Sequence, residues 1–206
     1  MSVSWKRAAA LAAVAVLILI GRTGIAAQPA SSVQSSRPLD NGPMHLTAFA
    51  VNMNATRPGA AATTVDIVVD RFSTDSERDR LREAFKAREQ DGLLEALQKL
   101  PAVGYLTTPG SLRYDVHFAR QRPLPEGGRR IFLLTDRRIT AWEAMAGART
   151  LDYPFTLIQL QLDKNDAGVG KMNIAAKITG SEDTVVEIED FAAQPVQLNN
   201  VHPFKS

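Results

Sequence analysis

Apolar and polar residues alternate with a period of two along most of the chain, the spacing of strands with one buried face. The pattern begins near Met44, and residues 44–53 are apolar and β-prone without a clear face. Residues 64–72 are clearer: Val65, Ile67 and Val69 point one way, Asp66, Val68 and Asp70 the other. Pro58-Gly59 between the two runs signals a turn and predicts a hairpin with a long loop.

The period then changes. Thr74-Asp75-Ser76-Glu77 has the form of a capping box, with acids suited to the positive end of a helix dipole. Leu81, Ala84 and Phe85 make one apolar stripe, and Leu93, Leu94, Leu97 and Leu100 a stronger one that Pro101 ends. Asp91-Gly92 between them breaks the run or bends it. Residues 75–100 therefore predict one bent helix or a helical pair, laid on the sheet through its leucines.

Strands resume at Leu112, where Leu112, Tyr114, Val116 and Phe118 alternate with Arg113, Asp115, His117 and Ala119. After the turn at 123–128, residues 130–135 are apolar on both faces, as in a central strand. Residues 155–162 and 170–178 flank Asp163-Lys164-Asn165-Asp166-Ala167-Gly168 and predict a hairpin. Its second strand places Met172, Ile174, Ala176 and Ile178 on one face. Runs at 184–189 and 195–199 bring the total to about eight strands. The order is not βαβα, so a doubly wound parallel sheet is not expected. The predicted fold is α+β: an antiparallel β-rich barrel or sandwich with one bent helix or helical pair after the second strand.

The first 43 residues do not follow this pattern. Lys6 and Arg7 precede an apolar run from Ala8 to Ile20, and small residues follow up to Ala27. That order is that of a signal peptide over 1–27, with cleavage after Ala26 or Ala27. The competing reading is an uncleaved anchor, but the run falls short of the ~20 residues a spanning helix needs. Residues 28–43, rich in Pro, Ser, Gln and Gly, read as a flexible tether, leaving 44–206 as one domain with no transmembrane segment after processing. Processing also changes the charge. The chain has 24 Lys and Arg against 22 Asp and Glu; losing Lys6, Arg7 and Arg22 leaves 21 against 22, a formal charge of −1. The pI near 9.0 belongs to the unprocessed chain, so it is no argument for a nucleic-acid partner.

Candidate chemistry is sparse. Zero cysteines exclude a disulfide scaffold, a thiolate metal site and a cysteine nucleophile. There is no G-x-S-x-G, H-E-x-x-H or glycine-rich phosphate loop, and no cofactor or metal is expected. The 163–168 loop starts like a calcium loop, but its fifth position is Ala167 and its twelfth Ile174, so it reads as a turn. Asp115 and His117 share a strand face at i and i+2, where Asp115 would orient His117 as a base or ligand. A third partner would come from His45, Glu187 or Glu189. The simpler reading is a solvated strand face. Glu187 and Glu189 also form a carboxylate pair, a pattern that more often serves solubility than catalysis. Trp142 reads as core packing, or as a rim residue over a barrel cavity.

Seven arginines lie between Arg113 and Arg138, and Arg129-Arg130 and Arg137-Arg138 bracket one strand. Arginine suits planar anionic partners. Either these groups pair across the sheet with Glu182, Asp183, Glu187, Glu189 and Asp190, or Arg129, Arg130, Arg137 and Arg138 bind an external anion such as envelope lipid or polysaccharide.

The segments KLPAVGYLTTPGSLRYDVHFAR (99–120), GGRRIFLLTDR (127–137) and DYPFTLIQLQLDKNDAGVGKM (152–172) resemble a group of uncharacterised exported bacterial proteins. The resemblance covers most of residues 65–201. It implies export and one compact domain, and it brings no activity or site. The reading is an exported periplasmic or secreted protein, non-enzymatic, that binds a small apolar or an anionic ligand. The alternatives are a hydrolase-like or metal-assisted enzyme using Asp115 and His117, and a cell-envelope interaction protein using its arginine-rich surface.

Overall fold

The computed structural model describes residues 39–53, 62–111, 113–137, 154–180, 186–190 and 194–204. The proposed signal peptide, the Pro58-Gly59 turn, Leu112, Arg138, Trp142, Glu182 and Asp183 lie outside them, as do the side chains of Glu187 and Glu189. In chain order the elements are β1 (Met44–Val51), β2 (Ala62–Val69), α1 (Asp75–Gln98), β3 (Gly104–Thr107), β4 (Tyr114–Pro123), β5 (Arg129–Thr135), β6 (Phe155–Leu162), β7 (Gly168–Gly180), β8 (Val186–Asp190) and β9 (Val196–Pro203).

Every strand pairing is antiparallel, and the order β6-β5-β4-β3-β2-β1-β9-β7 is closed by β6 pairing with β7. The result is an eight-stranded antiparallel barrel with the helix inserted after the second strand. Closure removes the open edges that an eight-stranded sheet would otherwise carry. β8 stands outside the ring and pairs with the far half of β7, from Ala176 to Gly180.

Alternation explains the lumen. Leu46, Ala48 and Ala50 of β1, Val65, Ile67 and Val69 of β2, and Ile131 and Leu133 of β5 point inward and are 0–1% exposed. Ile158, Leu160, Met172 and Leu198 complete the same apolar cluster from β6, β7 and β9, all 0% exposed. A lumen open enough for a ligand would expose the side chains lining it. These are sealed, so among the described residues the interior is filled by the chain's own side chains.

Four strand pairings carry register shifts, β1–β9, β4–β5, β6–β7 and β7–β9, and those of β4–β5 and β6–β7 redirect core side chains. Between Val116 and Phe118 the β4–β5 register shifts by one residue, at His117. Phe118 therefore leaves the row of Tyr114 and Val116, and Ala119 takes the inward position at 0% exposure. A second shift, between Phe155 and Leu157 on β6, turns Ala176 and Ile178 away from Met172 and Ile174. Bulges do this because one extra residue reverses the face of everything beyond it. Phe118, Ala176 and Ile178, redirected by these shifts, join Leu134, Phe155 and Leu157 in a second apolar cluster, covered by Leu81, Leu93 and Leu97 of α1 and by Leu100 just beyond it. Thr135 and Thr156, both 0% exposed, bond the backbone the bulges release: Thr156 N–H donates to Thr135 Oγ1 (3.1 Å), and Thr156 Oγ1 donates to Ile174 O (2.8 Å).

The capping box forms as expected: Glu77 N–H donates to Thr74 Oγ1 (3.2 Å) and Thr74 N–H to Glu77 Oε2 (2.8 Å). The bend is at Arg88 and Glu89, not at Asp91-Gly92, and Glu89 adopts φ 46°. Gly92 has a different task. A Cβ there would stand 2.3 Å from the Ala84 carbonyl oxygen, so only glycine lets the two helical arms approach.

Candidate functional site

Asp115 and His117 bond different partners. The bulge at His117 separates their surroundings. Asp115 accepts from Arg113 Nε at 2.8 Å, and the Arg113 guanidinium lies 4.0 Å from the centroid of the Tyr105 ring. His117 turns toward the end of α1, where Nδ1 is 2.8 Å from Leu100 O. A carbonyl only accepts, so Nδ1 carries the proton. Its Nε2 lies 3.6 Å from Asp136 Oδ1. Both ring nitrogens thus face acceptors of the protein itself, and the imidazole ties the strand to the chain leaving the helix. Among the described residues no group of three or more His, Asp or Glu is arranged to hold a metal.

The loop at 163–168 is a turn closed on itself. Asp163 Oδ1 accepts the N–H groups of Asn165 (2.7 Å) and Ala167 (3.0 Å). The Ala167 N–H, followed by that of Asn165, holds this carboxyl below the ordinary aspartate value.

The arginines divide by position along β5. Arg129 points inward at the barrel end and is 8% exposed. Its Nε and Nη2 donate to Asp166 Oδ1 (2.7 Å) and Oδ2 (2.6 Å), a bidentate pair. Its Nη1 donates to Gln121 Oε1 and to Asp40 O, both at 2.9 Å. Gln121 Nε2 in turn donates to Asp40 O (2.8 Å) and Asn41 Oδ1 (2.7 Å). This network closes the barrel end and ties down the chain ahead of β1. Arg129 is therefore occupied within the protein. Its carboxylate is Asp166 rather than any acid of the 182–190 set, since β8 pairs with β7 and β6 lies between β7 and β5. Arg137 Nη2 donates to Arg113 O (2.8 Å), and its guanidinium stands 5.3 Å from the centroid of the Tyr114 ring.

Arg130 faces outward. The β4–β5 register puts it directly opposite Arg122, and Gln161 of β6 stands on its other side. The parallel row one step along the strands is Arg120, Phe132, Gln159 and Lys171. Neither row contains an acid. Arg120 reaches the exposed Asp75 at 3.1 Å, but Arg130 Nε is buried without a hydrogen-bond partner. Like charges directly opposite on a sheet repel, and a buried guanidinium N–H left unbonded adds a further cost. The outer face of β4 and β5 thus holds unneutralised positive charge. Beside it, Asn41, Phe72, Ser73, Thr74, Asp75, Arg120 and Gln121 line an open polar groove of about 390 Å³.

Arg122 is the residue that arginine counting alone does not single out. Its signal is the tight turn from Leu124 to Gly128, which fixes the register that sets it against Arg130.

Comparison of the chain with family models, curated proteins and solved structures finds no match.

Proposed function

We propose that the chain is an exported, non-enzymatic protein that binds an anionic ligand on the outer face of β4 and β5. The observation that carries this reading is the pair Arg122 and Arg130, opposed across two strands with no acid in their row. A bound anion would relieve their repulsion by pairing with the two guanidinium groups. Export rests on the basic start, apolar run and small-residue end of the first 27 residues. No described helix is long and apolar enough to cross a membrane.

The apolar-ligand alternative has less support, because the side chains facing the lumen are sealed against one another. The enzymatic alternative has less as well, because Asp115 bonds Arg113 and both nitrogens of His117 face acceptors within the protein.

The test is retention of the full-length chain on immobilised dextran sulfate. Wild type is expected to bind at low salt and elute as the Debye length falls from about 30 Å at 0.01 M to about 8 Å at 0.15 M. Arg122→Gln/Arg130→Gln should run through, and Arg113→Gln/Arg137→Gln should behave like wild type. Equal retention of the Arg122→Gln/Arg130→Gln protein would refute the reading.

A further inference from the structure

The anion-binding face carries more than charge, and its other side chains narrow the ligand class. On the Arg122–Arg130 row the next position is Gln161, exposed; on the adjoining row Phe132 is followed by Gln159 and then Lys171. These positions follow one another across neighbouring strands at about 4.8 Å, close to the length of one pyranose in an extended chain. Guanidinium groups match carboxylates in a planar, bidentate way. Primary amides offer a donor and an acceptor side by side, the complement of a sugar hydroxyl. Phe132 is half-buried and belongs to neither apolar cluster of the protein, so its ring sits among these polar groups as a surface for the C–H face of a sugar.

From this juxtaposition we propose that the outer face of β4 to β7 binds an acidic polysaccharide, a chain of uronate-type sugars lying across the strands. Carboxylates meet Arg122, Arg130 and Lys171, and hydroxyls meet Gln159 and Gln161. A lipid surface would instead need several apolar side chains projecting from the cationic patch; these rows offer one, Val169 beside Gln161, and Phe132 is half-buried. The proposal rests on the anion-binding reading and adds the ligand class to it.

The experiment measures affinity of the full-length chain for oligogalacturonate, with dextran sulfate, neutral dextran and vesicles containing anionic lipid as the other arms. Binding to oligogalacturonate and none to neutral dextran is expected. Gln159→Ala/Gln161→Ala, changes at partly or fully exposed positions, should weaken oligogalacturonate binding about tenfold while leaving dextran sulfate retention within about twofold. Phe132→Leu should also weaken it, and its far-ultraviolet spectrum shows whether the barrel is intact. If the amide variant binds oligogalacturonate as wild type does, the polysaccharide assignment falls while the anion reading survives. Vesicle binding without oligogalacturonate binding overturns it in favour of a membrane surface. Loss of dextran sulfate retention by wild type as well would take both readings down.

Discussion

Replacing Asp166 with Asn tests how the barrel end is closed. Asp166 sits at φ 59°, a left-handed conformation that Asn tolerates, so the backbone is spared. The change removes one negative charge and keeps one acceptor for Arg129. The Arg129 side chain is 9% exposed and that of Asp166 30%. Removing one partner of a fully buried pair costs about 3–5 kcal/mol. Here the rim exposure of Asp166 and the remaining bonds of Arg129 to Gln121 and Asp40 reduce that to about 2–3 kcal/mol. With an m value of about 2 kcal/mol/M the urea midpoint should fall by about 1–1.5 M, and Tm by about 4–12 °C. Arg129→Met, which removes the buried charge itself, should cost less, and adding Asp166→Asn to it should cost almost nothing more. Urea unfolding followed by circular dichroism across this four-protein cycle is the assay. An Asp166→Asn protein within about 0.5 kcal/mol of wild type, which is the scatter of an ordinary surface change, would refute the buried-network reasoning.

Three further outcomes follow from the helix and its contacts. Glu77 is held down to about 2, chiefly by its hydrogen bonds from Arg71, so its contribution is present above the ordinary carboxylate pKa and is lost as pH falls toward 2. After screening at the 40%-exposed Arg71, Glu77→Gln should lower stability at pH 7 by about 1–2 kcal/mol, and its stability should fall less than that of wild type between pH 5 and 2; an unchanged acid limb would contradict this. Gly92→Ala should cost about 2 kcal/mol or more, because its methyl group would collide with the Ala84 carbonyl; thermal unfolding at wild-type temperature would show the arms are not in close contact. His117→Ala should cost about 1–2 kcal/mol by freeing the Leu100 carbonyl, with dextran sulfate retention unchanged; a loss of retention at native stability would instead give His117 a ligand role.

Much of the barrel can be read from residue order. Val65, Ile67 and Val69 of β2, and the hairpin from Phe155 to Ile178, follow from period two alone, and Thr74 and Glu77 announce the start of α1. The bulges cannot be read this way. Nothing in Val116-His117-Phe118 marks an inserted residue, so Phe118 looks like a lumen side chain until the register of β5 is known. The same holds for Ala176 and Ile178. β3 is hidden by its length, four residues after a proline, and by Gly104, which is required because a Cβ would meet Val68 O at 2.2 Å. The bend at Glu89 escapes because a glutamate rarely takes a positive φ, whereas the neighbouring glycine draws attention.

The candidate site was legible as a composition and not as a place. Clustered arginines point to an anion, but which of them is spent inside the protein depends on barrel closure. Closure brings the β6–β7 turn to the end of β5 and gives Arg129 its Asp166, while pairing in the β4–β5 hairpin leaves Arg130 facing Arg122. These contacts span the 37 residues between Arg129 and Asp166 and the tight turn between Arg122 and Arg130, respectively. Only the second could have been inferred from local turn chemistry.

The most direct test of the central claim is amide chemical-shift mapping of the full-length chain titrated with short dextran sulfate. Shifts concentrated around Arg122 and Arg130, with the inward-facing residues of β1 and β2 unmoved, are the predicted result. Shifts centred on Leu46, Ile67 and their lumen neighbours, or on His117 and Asp136, with the β4–β5 outer rows silent, would contradict it.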